Sequence, residues 1–359
     1  MYHRITNIKS LVSCIVIIFI IFIIYTIIHT KRTTYYKYRH ISACTSKMHY
    51  KTEKLPQKWD WSNITTAEQS LYEKLFNIQI AKGTYTSQIF DQHMSKWCGC
   101  CYLISTLQTI QDKMNIALGI RSPDSFMLPY FEIDAQYALD TYNEYRRIVH
   151  PDWNACHGGN PETLIKAMQN EKIPLVLTTS DGFAWYGYPK SSTIINDRNK
   201  DVVNLFPKKE VIVQNDINTV QSTILQEGPL VLAINANCLL DASLSKRKGL
   251  IDTDIFGPRN HAVSVIGWKL IDGRNCWIAR NSWGDLVPES KPSSIDCVRT
   301  DSNTCEVPLK KWTSDKINKG LFYIPFDYGH IRRAPSPWYS CIPMQLYNLH
   351  NLQTLDVSF

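Results

Sequence analysis

The sequence predicts an α+β fold in which a helical half precedes a β-rich half. Three observations carry that prediction. Leu103, Leu107, Ile110 and Met114 recur at the i, i+4, i+7, i+11 spacing of one helix face, an amphipathic pattern. Beyond residue 205 that period gives way to short apolar runs at 211–213 and 230–235. Two longer arms follow, 261–270 and 275–282, joined through Asp272-Gly273, a strong two-residue hairpin signal. With 44% hydrophobic and 20% charged residues, the 359-residue chain has the composition of a globular protein, which excludes disorder, collagen and a long coiled coil.

The chain opens with a short tail, residues 1–10, followed by an uncharged apolar run, Leu11 to Ile28. Eighteen residues just span a bilayer, so 11–28 is expected to be a single-pass membrane anchor. A cleaved signal peptide is the competing expectation. It would have a shorter apolar stretch and small residues at a cleavage site, where this chain has Thr26-Ile27-Ile28-His29-Thr30-Lys31-Arg32. Residues 29–54 form a basic, Tyr-rich stalk or short pro-segment. The formal charge of +7 belongs to this end: residues 1–54 hold nine Lys/Arg and one acid, Glu53, leaving 30 basic and 31 acidic residues beyond. A nearly neutral remainder without a basic stripe excludes nucleic acid as a partner. Lys31, Arg32, Lys37 and Arg39 outnumber Arg4 and Lys9, which favours a cytosolic large domain. Eleven cysteines favour the lumenal or extracellular side instead, and that is the placement expected.

The folded domain is expected over 55–345, starting at Leu55-Pro56-Gln57-Lys58-Trp59-Asp60-Trp61 and followed by a C-terminal tail, 346–359. Its helical half covers about 92–200, with helices after Cys101 and from Glu162 to Asn170 behind Pro161. Its β half covers about 205–345. An insertion at about 285–317, with Cys297, Cys305 and several prolines, reads as a surface loop before Lys319-Gly320-Leu321-Phe322-Tyr323-Ile324.

The chemistry concentrates in three stretches. In Gln92-His93-Met94-Ser95-Lys96-Trp97-Cys98-Gly99-Cys100-Cys101-Tyr102, the thiol of Cys101 falls at a helix N-terminus, where the dipole is expected to lower its pKa and make it a nucleophile. A thiolate needs an imidazole to pair with and to protonate the leaving group, and the imidazole needs an orienting acceptor. Asn260-His261-Ala262 and Arg280-Asn281-Ser282-Trp283-Gly284 supply both. Folding about Asp272-Gly273 brings His261 and Asn281 to one open end of the hairpin. A zinc ribbon needs two Cys-x-x-Cys pairs and only Cys98 and Cys101 have that spacing, so a zinc ribbon is excluded, although Cys98, Cys100, Cys101, Cys156 and His157 leave a crowded metal or redox site as an alternative.

Cys98-Gly99-Cys100-Cys101-Tyr102, Cys156-His157-Gly158-Gly159-Asn160, Asn260-His261-Ala262-Val263 and Asn281-Ser282-Trp283-Gly284 together resemble the landmarks of papain-like cysteine peptidases. The three extra residues between Gln92 and Cys98 resemble the mini-loop of the cathepsin X (cathepsin Z) branch, to which 55–61, Asp112-Lys113-Met114-Asn115-Ile116 and Val263-Ser264-Val265-Ile266-Gly267-Trp268 are also similar. The resemblance implies a papain-like fold of two domains, helical and β-barrel-like, with a cleft between them. It implies Cys101 as nucleophile, His261 as acid/base and Asn281 as its orienter, with Gln92 and the Cys101 N–H forming an oxyanion hole. It implies Gly158 and Gly159 as the strand that an extended substrate approaches, Trp283 as a shield over the His261–Asn281 bond, and a Cys98–Cys156 disulfide. In the mini-loop it implies His93, aided by Lys96, as the group that binds a peptide's free carboxylate. A thiol carboxypeptidase is therefore expected, ahead of an endopeptidase or an inactive membrane-tethered peptide-binding module, with peptides as partners and no cofactor or metal.

Cys44 is the candidate for a pro-segment thiol that covers the nucleophile, and Asn63-Ile64-Thr65 is a glycosylation sequon for a lumenal domain. The departures from the family pattern are Tyr102 for Trp, Cys100 for Ser, Ser95 for Pro, and spacings of 160 and 180 residues from Cys101 to His261 and Asn281.

Overall fold

The structure is a computed structural model. It describes residues 55–87, 89–93, 97–118, 132–170, 173, 175–178, 187–189, 203–213, 215–239, 249–251, 257–284, 286–288, 298–299, 305–306, 309–311, 320–329, 331, 338–348 and 355–356. The expected anchor at 11–28, the stalk and Cys44 lie outside these residues. Among the described residues no helix is long and apolar enough to cross a membrane.

Strand β1 (Trp59–Asp60) begins the domain and pairs antiparallel with β6 (His261–Ile271), Trp59 opposite Trp268. Helix α1 (Thr66–Phe76) starts in a capping box, with the Thr65 N–H donating to the Glu68 carboxylate at 3.1 Å. Next comes α2 (Cys101–Leu118), whose first residue is Cys101. Then follow β2 (Glu132–Ile133) and α3 (Ala135–Val149), which the Asp134 carboxylate caps by accepting from the Tyr137 N–H at 2.8 Å. Helix α4 (Pro161–Asn170) leads to β3 (Leu175–Thr178), β4 (Val203–Ile212), α5 (Ile217–Glu227) and β5 (Leu230–Ile234).

The expected hairpin is present as β6 and β7 (Arg274–Arg280). Asp272 and Gly273 both have positive φ, 46° and 79°, as a tight turn matched to strand twist requires. The insertion carries two nested antiparallel ladders instead of plain loop: β8 (Leu286–Pro288) and β9 (Val298–Arg299), then β10 (Cys305–Glu306) pairing β9 and β11 (Leu309–Lys311) pairing β8. The chain returns at Gly320, whose carbonyl accepts the Asn281 N–H at 3.0 Å, and continues into β12 (Leu321–Pro325), β13 (Trp338–Asn348) and β14 (Leu355–Asp356).

Two expectations need correction. The helical and β halves do not divide cleanly at residue 205. One antiparallel sheet runs β12-β7-β6-β5-β13-β4-β3-β2, so strands from both halves share it. Two-residue β2 and four-residue β3 are too short for an alternation pattern and are held by their partners. Helix α2 is not amphipathic in its setting either, for residues 101–116 are all buried, Asp112 and Lys113 included. Its Leu103, Leu107, Ile110 and Met114 join Leu139, Leu164 and Met168 in one core. Ile116 joins Trp59, Trp268, Trp277 and Trp338 in the other. The two charged residues of α2 tolerate burial because Asp112 pairs with Arg280 and Lys113 donates to the Ser340 hydroxyl.

Candidate active site

Cys101 opens α2 at one edge of the described site, its loop anchored by the Cys98–Cys156 disulfide with Cα atoms 4.4 Å apart. The Gly99 N–H donates to Cys156 O at 2.7 Å, so the bond and the backbone hold one junction. The disulfide removes both thiolates from the metal-site alternative. Among the described residues no group of three or more His, Cys, Asp or Glu could hold a metal ion. Cys100, Cys101, Cys238 and Cys276 are free thiols.

Across the site, β6 begins at His261 and β7 ends one residue before Asn281. His261 Nε2 and Asn281 Oδ1 are 2.8 Å apart and buried. An amide oxygen only accepts, so Nε2 carries the proton and neutral His261 keeps its lone pair on Nδ1. Asn281 Oδ1 also accepts the Ser282 N–H at 2.9 Å, which fixes the amide. Trp283 covers the imidazole, ring centroids 4.6 Å apart and tilted 35°.

Burial works against the expected ion pair. Burial pushes the Cys101 thiol up to about 11, outweighing the Ala262, Tyr102 and Cys101 N–H groups that favour the thiolate. Burial also pushes His261 down to about 4, against the Asn281 hydrogen bond. With the whole residue only 9% exposed, Cys101 is too desolvated for the helix dipole alone to decide its charge. Burial of both groups therefore favours thiol and neutral imidazole as the resting pair.

Gln92 is held from both ends of its amide. Its Nε2 donates to Cys98 O at 2.7 Å and its Oε1 accepts from the Ser282 hydroxyl at 2.5 Å, while its backbone N–H donates to Ser282 O at 2.8 Å. An amide nitrogen carries two N–H donors. His93 follows, its N–H donating to Asp91 Oδ1 at 2.9 Å and its ring lying 6.0 Å from Trp97 and 6.3 Å from Trp283. Burial and then the charge of His261 hold His93 down at about 4, and its Nδ1 is buried without a hydrogen-bond partner. Lys96 lies outside the described residues.

The two glycines divide differently from expectation. A Cβ on Gly158 would meet nothing within 4 Å, but its φ of +100° suits glycine alone. A Cβ on Gly159 would fall 2.5–2.6 Å from the ring of Tyr102, beneath it. Gly159 is thus required by the Tyr102 ring below it. The Tyr102 hydroxyl donates to Ala155 O at 3.1 Å, which seats the ring there. Sequence reasoning missed Ser282 and Asp91; the only signal was their adjacency to Asn281 and Gln92.

A buried thiol at a helix N-terminus, within hydrogen-bond reach of the Ala262 backbone, with His261 next to it in the chain and oriented by the Asn281 amide, is an arrangement suited to nucleophilic thiol catalysis. The family model for papain family cysteine protease matches residues 55–310. The chain belongs to that family and is a cysteine-type peptidase of papain-like α+β fold. It is similar to cathepsin Z of Onchocerca volvulus, 22% identical over 243 residues, covering 66% of this chain and 68% of that protein. It is also similar to a cathepsin L-like proteinase of Phaedon cochleariae, 23% identical over 213 residues, covering 58% of this chain and 57% of that protein. Digestive procathepsin L2 proteinase from Tenebrio molitor larval midgut superposes loosely, with a TM-score of 0.48 and 16% identity over 81% of this chain and 69% of that one.

Proposed function

We propose that the chain hydrolyses peptide bonds through Cys101, His261 and Asn281, and that it removes residues from the C-terminal end as a carboxypeptidase. The catalytic half of the proposal is supported by the Nε2–Oδ1 contact, which leaves His261 Nδ1 basic. Nδ1 takes the Cys101 proton as sulfur attacks the scissile carbonyl carbon. The carbonyl π electrons move to oxygen, stabilised by the Gln92 amide and the Cys101 N–H. Collapse breaks the C–N bond, the amine leaves with the proton from Nδ1, and a thioester remains. Water, deprotonated by Nδ1, then hydrolyses the thioester and returns the thiol.

The carboxypeptidase half rests on one observation, the buried unpartnered Nδ1 of His93 close enough to His261 to feel its charge. An orphaned imidazole nitrogen beside the scissile position is a ready donor for a terminal carboxylate, and a terminus bound there limits cleavage to the last residue. The proposed setting is a lumenal or extracellular face tethered through 11–28. It is supported by the disulfide and by exposed Asn63, whose sequon would carry glycan. The test is product analysis by mass spectrometry on a peptide with a free C-terminus. Sequential loss of single C-terminal residues is expected. Internal fragments without such a ladder would replace the carboxypeptidase with an endopeptidase.

A further inference from the structure

One buried polar node joins all the segments that carry the proposed site. Arg280, the residue before Asn281, places Nη2 2.6 Å from Asp112 Oδ2 and Nη1 3.4 Å from Oδ1; the two side chains are 1% and 0% exposed. Nη1 also donates to Ser87 O at 2.8 Å, and Nη2 reaches Ser264 Oγ at 3.4 Å. Asp112 Oδ1 accepts the Ser87 N–H at 2.6 Å, and Thr109 Oγ1 lies 3.2 Å from Ser264 Oγ. Thr109 and Asp112 belong to α2 with Cys101, and Ser264 to β6 with His261. Arg280 ends β7 beside Asn281, and Ser87 lies five residues before Gln92.

We infer that the Arg280–Asp112 pair is the positioning element that sets the α2 thiol against the β6–β7 imidazole and amide, an inference that rests on the peptidase site proposed above. Asp112 is eleven residues from Cys101, about three turns, so it projects from nearly the same side of the helix at a lever arm of about 16 Å. A forked guanidinium on a carboxylate fixes direction as well as distance, which apolar contacts do not. An apolar pair would fill the same volume at similar or greater stability, so stability gives no reason for two charges in this core. Register between α2 and the hairpin does. A misplacement of about 1 Å in a reacting pair costs on the order of 100-fold in rate.

The test compares wild type with Arg280→Met/Asp112→Leu, which removes both charges together, and with Arg280→Lys, which keeps a cation but loses the fork. Melting temperature, active-site titre by a covalent epoxide, kcat per titrated site and KM are measured on the full chain. The expected result for the double variant is a melting temperature near that of wild type, KM within about threefold and kcat per site lower by about 10–100-fold. Arg280→Lys should lower kcat per site by roughly tenfold at unchanged KM. Should the double variant not fold, Arg280→Lys alone decides. Unchanged kcat per site in either folded variant, whatever the loss in titre or melting temperature, makes the pair merely structural and overturns the inference. A wild-type protein with no titratable site would instead overturn the peptidase mechanism beneath it.

Discussion

Replacing His93 with alanine should remove most of the preference for peptide acids over peptide amides, in a pH-dependent way that follows from its burial. A charge-assisted hydrogen bond to a carboxylate contributes about 1.5–3 kcal/mol. The free-enzyme pKa of His93 is about 4, so the imidazole must first be protonated. At pH 5 that costs about 1.4 kcal/mol, one unit of pKa, leaving about 0.1–1.6 kcal/mol, or up to roughly 15-fold for the acid over the amide. Near pH 4 the cost falls to about 0.4 kcal/mol and the preference rises to roughly 6–80-fold. At pH 7 protonation costs about 4 kcal/mol, more than the charged bond returns, so only a neutral hydrogen bond of about 0.5–1.5 kcal/mol remains. The sign is that of a cationic group: preference is present below the histidine pKa and lost as pH rises through it. The lower edge is set by the peptide's own carboxyl, near 3.5. The assay is kcat/KM on matched acids and amides from pH 3.5 to 7.5, for wild type and His93→Ala. A wild type that treats acid and amide alike at pH 4, or a mutant that keeps the wild-type preference, would refute the role of His93.

Three further outcomes are expected. Because burial favours thiol and neutral imidazole, alkylation of Cys101 by iodoacetamide should be slow and rise about tenfold per pH unit from pH 5 to 8, with no plateau below the thiol value of about 11; a plateau reached by pH 5 would mean a preformed ion pair. Replacing Cys98 and Cys156 together with serine should lower unfolding free energy by about 2–5 kcal/mol in denaturant titrations, and an unchanged midpoint would mean that the bridge does not form in solution. Gly159→Ala should cost about 1–3 kcal/mol through its clash with Tyr102, and the further change Tyr102→Ala should recover part of the clash; equal destabilisation by Gly159→Ala in both backgrounds would remove Tyr102 as the cause.

The site was legible in the sequence where its chemistry is local. Cys101 stands at a helix start, and Asp272-Gly273 forces His261 and Asn281 to one end of a hairpin, so three residues spread over 180 positions could be brought together from short patterns. Helices α1, α3 and α5 were passed over in the sequence, although capping residues Thr65, Asp134 and Asp216 stand at their starts. What stayed hidden depends on long-range packing. Asp112 and Lys113 have the appearance of a solvated helix face until Arg280 and Ser340 arrive from 168 and 227 residues away. The Cys101 and His261 pKa values follow from burial under distant segments, which outweighs the helix dipole visible in the local pattern. Gly159 likewise reads as an opening for substrate until the ring of Tyr102, 57 residues earlier, is seen beneath it.

The most direct measurement is the site of covalent labelling by a peptidyl epoxide that traps catalytic thiols, mapped by mass spectrometry on wild type, Cys101→Ala and His261→Ala. Cys101 and Cys100 are adjacent, buried and both free, so the modified residue itself separates the alternatives. One equivalent on Cys101, absent from Cys101→Ala and strongly slowed in His261→Ala, is the predicted result. Labelling of Cys100, or none in the wild type at any pH from 4 to 8, would contradict a Cys101–His261–Asn281 peptidase.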